Sequence, residues 1–431
     1  MMKLKYLIIY SILIREAFSF WTGHPYDFEM FARVGEQLAR GEPLYVFIYA
    51  YGDISFWPHG FVGYAYPPLF AYYCMISYLF YKFIGLNLPF FYYFLLKQPM
   101  IIGDVACGYL IYKINVNFFN NNSIKPLVAW LFNPITIIFS SIWGIPHTLA
   151  ILFVLLFLLK YELKYSFIFL SLAFLIIGLP FIYIVSLIIL FFNKKKHIIS
   201  SLFIFLLVGI AFPLIALIPF KLQNQLWNIY LAVVDVLFKK SLGQFNMYMI
   251  FNYLYYINPH TFSDLLMLAA NILPYIWLPA LIISLLFIRR FIKKINHVSL
   301  ISIFLFTTLI FLIFRETVNE QYILYYISMC LAFYKFIENN SLKKIFLIIQ
   351  INTFIFILIN NPLFIRFLTP LNESYYMFDI NLTTSEPFKF VRLTIMMISG
   401  TLNTILLIFF LKKFIKLIYG GTGGAGDKPL E

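Results

Sequence analysis

GHPYDFEMFARVGEQLARGEPLY, residues Gly23 to Tyr45, is followed by YAYPPLF at Tyr64 to Phe70, and together they bound a polar island between two apolar runs. From Gly23 to Gly63 the island holds five acids (Asp27, Glu29, Glu36, Glu42, Asp53) against two arginines (Arg33, Arg40). That is a local charge of about −3 in a chain whose formal net charge is +14. Basic residues elsewhere cluster at the ends of apolar segments, as they do on the cytoplasmic side of membrane proteins. An inverted charge here therefore predicts a site on the non-cytoplasmic face.

Working outward, composition gives the class. The chain has 431 residues, 62% of them hydrophobic and 12% charged, with a mean hydropathy of +0.87. A soluble globule needs roughly a quarter of its residues charged. The pattern is that of an all-α, polytopic integral membrane protein, with membrane lipids as its first partners. The positive excess is not a nucleic-acid signal, because it falls into short clusters flanking apolar runs. The first run follows Lys3 and Lys5 without a small-residue cleavage site behind it, and reads as a retained span. Cys74, Cys107 and Cys330 all lie in apolar runs and lack the CxxC spacing of metal or redox sites.

About twelve runs approach the roughly 20 residues a helix needs to cross hydrocarbon. They fall at 4–22, 64–84, 90–113, 125–143, 146–161, 165–192, 198–219, 271–291, 298–314, 320–337, 344–361 and 391–413. With the N-terminus inside, Lys194 to Lys196, Arg289 with Arg290, Lys343 with Lys344, and Lys412 with Lys413 are cytoplasmic. Lys113, Lys125, Lys160 and Lys164 are left outside, and a miscount of one span pair would bring them in. Residues 1–419 read as a single transmembrane domain, and 23–63 as its first outer loop. The Gly-rich 420–431 reads as a flexible tail or a cloning remnant.

Three long connections face outward: the first loop, Pro219 to Asn271, and Asn361 to Lys389. In the first, Asp27 starts a helical pattern, Phe28, Phe31 and Leu38 recur at helical spacing, and Gly41 stops it. In the second, Trp227, Tyr230, Leu231, Val234 and Leu237 alternate with polar residues. Both read as interfacial helices framing a pocket at the membrane surface.

The order of these motifs carries a resemblance. Asp27-Phe28-Glu29 directly after the first span, a short helix ending Arg40-Gly41-Glu42-Pro43-Leu44-Tyr45, then Tyr66-Pro67-Pro68-Leu69, resembles the GT-C class of polyprenyl-phosphate-sugar-dependent glycosyltransferases. Asp104, Phe132-Asn133-Pro134, Ser140-Ser141, and Asn319-Glu320-Gln321-Tyr322 before Tyr325-Tyr326 are similar to the catalytic subunit of glycosylphosphatidylinositol mannosyltransferase I and its prokaryotic relatives. That family continues the serine pair with an arginine and then an acid, whereas this chain reads Ile142-Trp143-Gly144-Ile145-Pro146-His147. The departure leaves sugar and acceptor open. The resemblance implies transfer of a hexose, mannose in that family, with inversion, from a dolichyl- or polyprenyl-phosphate donor to a lipid- or glycan-linked acceptor. It implies the plasma membrane of a prokaryote or the endoplasmic reticulum of a eukaryote, and leaves room for a small accessory subunit.

The residues support that chemistry in their own terms. Transfer from a lipid phosphate needs a base to take the acceptor's proton, and Asp27 is the candidate. The departing phosphate needs donors and positive charge, for which Arg315, with Gln321 and Tyr322 beside it, is placed at the outer end of the ninth span, at headgroup depth. Glu29 is the candidate to orient a substrate hydroxyl or Asp27's neighbours. Tyr66, with Tyr26 and Tyr45, is a candidate to line the sugar site, and His147, with His24 and His59, to face the outer pocket. No metal or other cofactor is demanded. Plainer readings stand beside these: Asp27 as a helix cap, Arg315 in a salt bridge with Glu316 or Glu320, and Asp104 as a buried hydrogen-bonding group. Arg15 and Glu16 would be paired within the bundle, and Asn133-Pro134 would be a kink. The alternatives from other classes are a transporter or flippase for a polyprenyl-linked or small polar substrate, and a structural subunit.

Overall fold

The computed structural model describes residues 2–25, 27–42, 64, 66–86, 88–162, 166–191, 218, 245–290, 292, 296–316, 318–372 and 374–419. Among them every regular element is helical. The expected span 198–219, the helix expected around Trp227, and Tyr26, Tyr45, His59, Lys164 and Lys194 to Lys196 lie outside the described residues, apart from Ile218.

α1 (Met2–Ser19) leads into the amphipathic α2 (Asp27–Ala39), which ends as its sequence predicts, with Gly41 at φ 72°. α3 (Pro68–Ile84) then lies along α2. Phe31 meets Phe70 at 4.9 Å, a Cβ on Gly35 would sit 2.4 Å from the Cys74 carbonyl oxygen, and Tyr78 donates to Glu36 at 3.2 Å. These pairs advance together in sequence, so the helices run side by side in one direction. α3 ends where α4 (Pro89–Phe119) begins, with Tyr81 stacked on Tyr92 at 5.3 Å. The expected span at 64–84 is thus spent on covering α2 and does not cross the bundle.

α4 runs on to the opposite end, where Phe118 stacks on His297 at 3.9 Å. The chain returns through α5 (Lys125–Leu131) and α6 (Pro134–Ile137), the latter continuing as a π-helical segment, Ile138–Trp143. The two halves bend by 43° at Asn133, whose side chain accepts from the Ile135 amide at 2.9 Å and donates to Gln350 at 2.6 Å. The kink read from Asn133-Pro134 is present, and its free polar groups are satisfied inside the protein.

α7 (His147–Lys160) descends again, and α8 (Phe167–Ile176) and α9 (Phe181–Phe191) follow. The sequence reads 165–192 as one span, but Gly178 to Pro180 break it and it turns back. Ser166, before α8, bonds the carbonyl of Tyr161, which meets the His297 ring at 6.1 Å. At the far end of α9 the Ile189 carbonyl accepts from Arg289, which lies eight residues before His297 along the chain. Both ends of the hairpin therefore lie at the His297 end.

α10 (Met249–Ile257) and α11 (Pro259–Arg289) come next. α11 starts well before the expected 271, because Asn258 caps the Thr261 amide at 3.1 Å and Pro259 occupies the first turn. α12 (His297–Phe314), α13 (Ile323–Ala332), α14 (Tyr334–Ile337), α15 (Asn340–Asn360), α16 (Ser374–Thr384) and α17 (Phe388–Tyr419) complete the bundle. The expected span 320–337 is a short 3-10 turn (Glu320–Tyr322) followed by α13 and α14, and every residue of α13 is buried.

Among the described residues five helices (α4, α11, α12, α15, α17) are long and apolar enough to cross a membrane, and the bent α5–α6 pair makes a sixth. At 18 residues, α12 measures about 27 Å, close to the hydrocarbon thickness. This architecture fits a multi-pass membrane protein. Because α3 does not cross and α8–α9 turn back, Lys113, Lys125 and Lys160 join Arg289, Lys343 and Lys412 at the His297 end. The miscounted pair accounts for the basic residues left outside. The opposite end is where the described part of the acidic island, Gly23 to Glu42 without Tyr26, sits.

Candidate active site

The acidic end is knitted from three distant pieces of chain. The Gly23 amide donates to the Phe367 carbonyl at 2.9 Å, and the His24 amide to the Trp143 carbonyl at 3.1 Å. The His24 ring stacks on Trp143 at 4.3 Å, with planes 10° apart. Trp143 closes the π-helical segment, and Gly144 follows at φ 81°, where a Cβ would sit 2.6 Å from the Phe28 ring. Only glycine fits that turn.

Asp27 is the first residue of α2, and its Oδ2 accepts from Trp143 Nε1 at 2.8 Å. His24 Nδ1 lies 3.6 Å from the same oxygen and accepts from the Asp27 amide at 3.3 Å. Nδ1 is thus an acceptor, and a neutral ring results. Burial, with Arg366 adding, holds His24 well below the ordinary imidazole range. The Asp27 side chain keeps 25% of its surface exposed, so the carboxylate is aimed and still reachable.

Around it the structure collects Tyr66, Glu320 and Tyr322. Burial pushes the Tyr66 phenol well above its usual range, and Asp27 and Tyr322 are close enough to push the same way. Burial also raises Tyr322, opposed by Arg315 and helped by Asp27. Burial raises Glu320, which accepts from Asn360 at 2.8 Å and feels both Asp27 and Arg366. Gln321 is buried in the same turn.

Arg315 is 3% exposed, with its guanidinium 5.6 Å from the Trp277 ring and its Nε 3.5 Å from Glu316 Oε1. The salt bridge to Glu316 is therefore present. Arg315 is also deeper than its sequence position suggests. Its carbonyl accepts from Asn246, which packs on Gly400, eight residues beyond Arg392 along α17 and thus about 12 Å below it. His147 is 1% exposed and meets the Tyr322 ring at 5.6 Å.

Asp27, Tyr66, Arg315, Tyr322 and His147 therefore converge, with Gln321 in the turn beside Tyr322. Glu29 does not join them. Residues two apart on a helix point to opposite sides, and Glu29 pairs with Arg33 at 3.0 Å against Tyr93. Burial raises its carboxyl even so, with Arg33 pulling the other way.

No protein-family model matches this chain, and no curated protein does either. What the site can do rests on its own geometry: a partly open carboxylate beside tyrosines, above a recessed arginine. Sequence reasoning missed Trp143 and Arg366. Trp143 stood in the stretch that departs from the family pattern, beside a Gly-x-Pro turn, and that was its signal. Arg366, held to Asp379 at 2.7 Å, had none.

Proposed function

We propose that this chain is an inverting glycosyltransferase that moves a hexose, mannose by its resemblance, from a dolichyl- or polyprenyl-phosphate carrier to a hydroxyl of a lipid- or glycan-linked acceptor on the non-cytoplasmic face. The observation that carries it is the convergence of Asp27 with Tyr322 and Arg315 at the end of the bundle opposite the basic clusters. Under the positive-inside rule the basic end is cytoplasmic. Asp27 takes the acceptor's proton as its oxygen bonds to the anomeric carbon. The bond from that carbon to the phosphate oxygen breaks, and its electron pair leaves on the lipid phosphate. Arg315 offsets the charge that grows there. The transporter alternative would draw on the broken α5–α6 helix, as transporters do; here that break's polar groups are spent on Gln350 and the Ile135 amide.

The test is transfer of labelled sugar from polyprenyl-phosphate mannose in membranes carrying the chain. Asp27→Asn is expected to keep the fold and donor binding while lowering turnover about a hundredfold or more, the usual scale of a general base. Near-normal turnover in that variant removes Asp27 from the chemistry.

A further inference from the structure

Beneath Tyr322 the site continues into two polar groups that are without hydrogen-bond partners among the described residues. His147 opens α7, and Tyr325 lies in the first turn of α13. Their rings meet edge to face at 5.9 Å with planes 85° apart, and Tyr325 is fully buried. His147 Nδ1 and the Tyr325 hydroxyl are both buried without a hydrogen-bond partner among the described residues. Their neighbours are spent: Tyr183, 6.4 Å from Tyr325, bonds Thr308 at 2.8 Å, and Thr148 bonds the Met100 carbonyl at 3.0 Å.

Unpaired buried polar groups are few in native proteins, and each calls for a cause. Two of them side by side, on different helices, against a tyrosine that senses Asp27 and Arg315, point to something that arrives from outside. An imidazole nitrogen and a phenol ask for a ligand group that can both donate and accept, as a hydroxyl can. We infer that His147 and Tyr325 hold hydroxyls of the transferred sugar and decide which hexose the site accepts. This rests on the glycosyl-transfer reading and deepens it. A site that hydrogen-bonds a substrate hydroxyl rejects the analogue lacking it strongly, because its own groups are then left buried and unpaired.

The experiment compares polyprenyl-phosphate mannose with its mono-deoxy analogues and its glucose epimer, in wild type, Tyr325→Phe and His147→Phe. Wild type is expected to disfavour at least one deoxy analogue by roughly a hundredfold or more. Each variant should pull that ratio toward unity by cutting use of mannose while barely changing use of the analogue. Tyr325→Phe removes a single oxygen that bonds nothing among the described residues, so its Tm should be unchanged or raised. A discrimination ratio unchanged in both variants overturns the inference, as does a lowered Tm for Tyr325→Phe, which would mark an internal bond. If wild type transfers sugar from none of the donors, the glycosyl-transfer reading itself falls and takes the inference with it.

Discussion

Two polar clusters hang from the same short stretch, Pro134 to Trp143, and they are built on opposite principles. In the deeper one Arg15 donates to Asp104 Oδ2 at 2.7 Å, to the Leu131 carbonyl at 2.9 Å and to Thr136 at 3.2 Å, and Ser140 donates to the same Asp104 oxygen. Both charged side chains are fully buried, and of their polar atoms only Asp104 Oδ1 is left over. Three residues beyond Ser140, Trp143 holds an aspartate that stays a quarter exposed. The first cluster closes on itself and fixes α1, α4 and α6 together. The second keeps a partly exposed carboxylate, and beneath it two groups without a hydrogen-bond partner among the described residues. A charge inside the bundle is therefore no sign of function here; the candidate is the one that is aimed and still reachable.

The largest effect should come from breaking the closed cluster. Arg15→Leu leaves Asp104 buried without its counter-ion, a change that typically costs about 3–5 kcal/mol. Thermal unfolding in detergent should show a large fall, with folded yield dropping alongside. Asp104→Leu added to it should recover part of the loss, since a dry apolar pair replaces the broken one. Were Arg15→Leu to keep its Tm and lose only turnover, the distinction between the two clusters would be gone.

Trp143 tests the other side with a smaller change. Trp143→Phe keeps an aromatic face for His24 and Phe367 but removes the hydrogen bond to Asp27. A bond to a charged group is worth about 1.5–3 kcal/mol, so turnover should fall roughly ten- to hundredfold with little change in Tm. An unaltered rate would mean that Asp27 is aimed by His24 and α2 alone.

How much of this could be read from residues differs between the parts. The helical class and the limits of α2 followed from composition, from apolar spacing and from Gly41, because those signals are local. The crossings did not. Residues 64–84 and 165–192 are apolar enough to span, yet α3 spends its face on α2 and α8–α9 fold back at Gly178 to Pro180, and no single-segment hydropathy distinguishes burial in protein from burial in lipid. The start of α11 was legible in Asn258-Pro259 and was overlooked. In the candidate site, Asp27, Tyr66, Arg315, Tyr322 and His147 stood out in the sequence because polar and ionisable groups are conspicuous beside long apolar runs, and the structure brings them near one another. Glu29 lies on the other side of α2 from Asp27, because residues two apart on a helix face different ways and adjacency in sequence does not carry over to adjacency in space. Trp143 reaches Asp27 across 116 residues of chain, and Arg366 acts on His24 from a distant segment, pairings that only the folded chain brings about.

The smallest effect concerns His24, the group that joins the open cluster to pH. Its ring accepts the Asp27 amide through Nδ1 and faces Asp27 and Trp143, with Arg366 close enough to disfavour a second positive charge. The folded protein therefore holds it neutral, with its pKa below the ordinary 6.5. A lowered folded pKa contributes stability that is fully present above about pH 6.5 and is lost as pH falls through the folded value. Glu29 and Glu320, whose carboxyls burial raises, carry the opposite sign and lose stability as pH rises through their folded values. Between pH 7 and pH 5 the histidine should lower the unfolding free energy, and Tm with it, at a slope of at most about 1.4 kcal/mol per pH unit. His24→Asn keeps an acceptor for the amide without a titrating ring, so subtracting its Tm profile from that of wild type isolates the histidine from both glutamates. A difference profile that stays flat down to pH 5 would show that protonating His24 costs the fold nothing, and that Trp143 alone ties Asp27 to the rest of the protein.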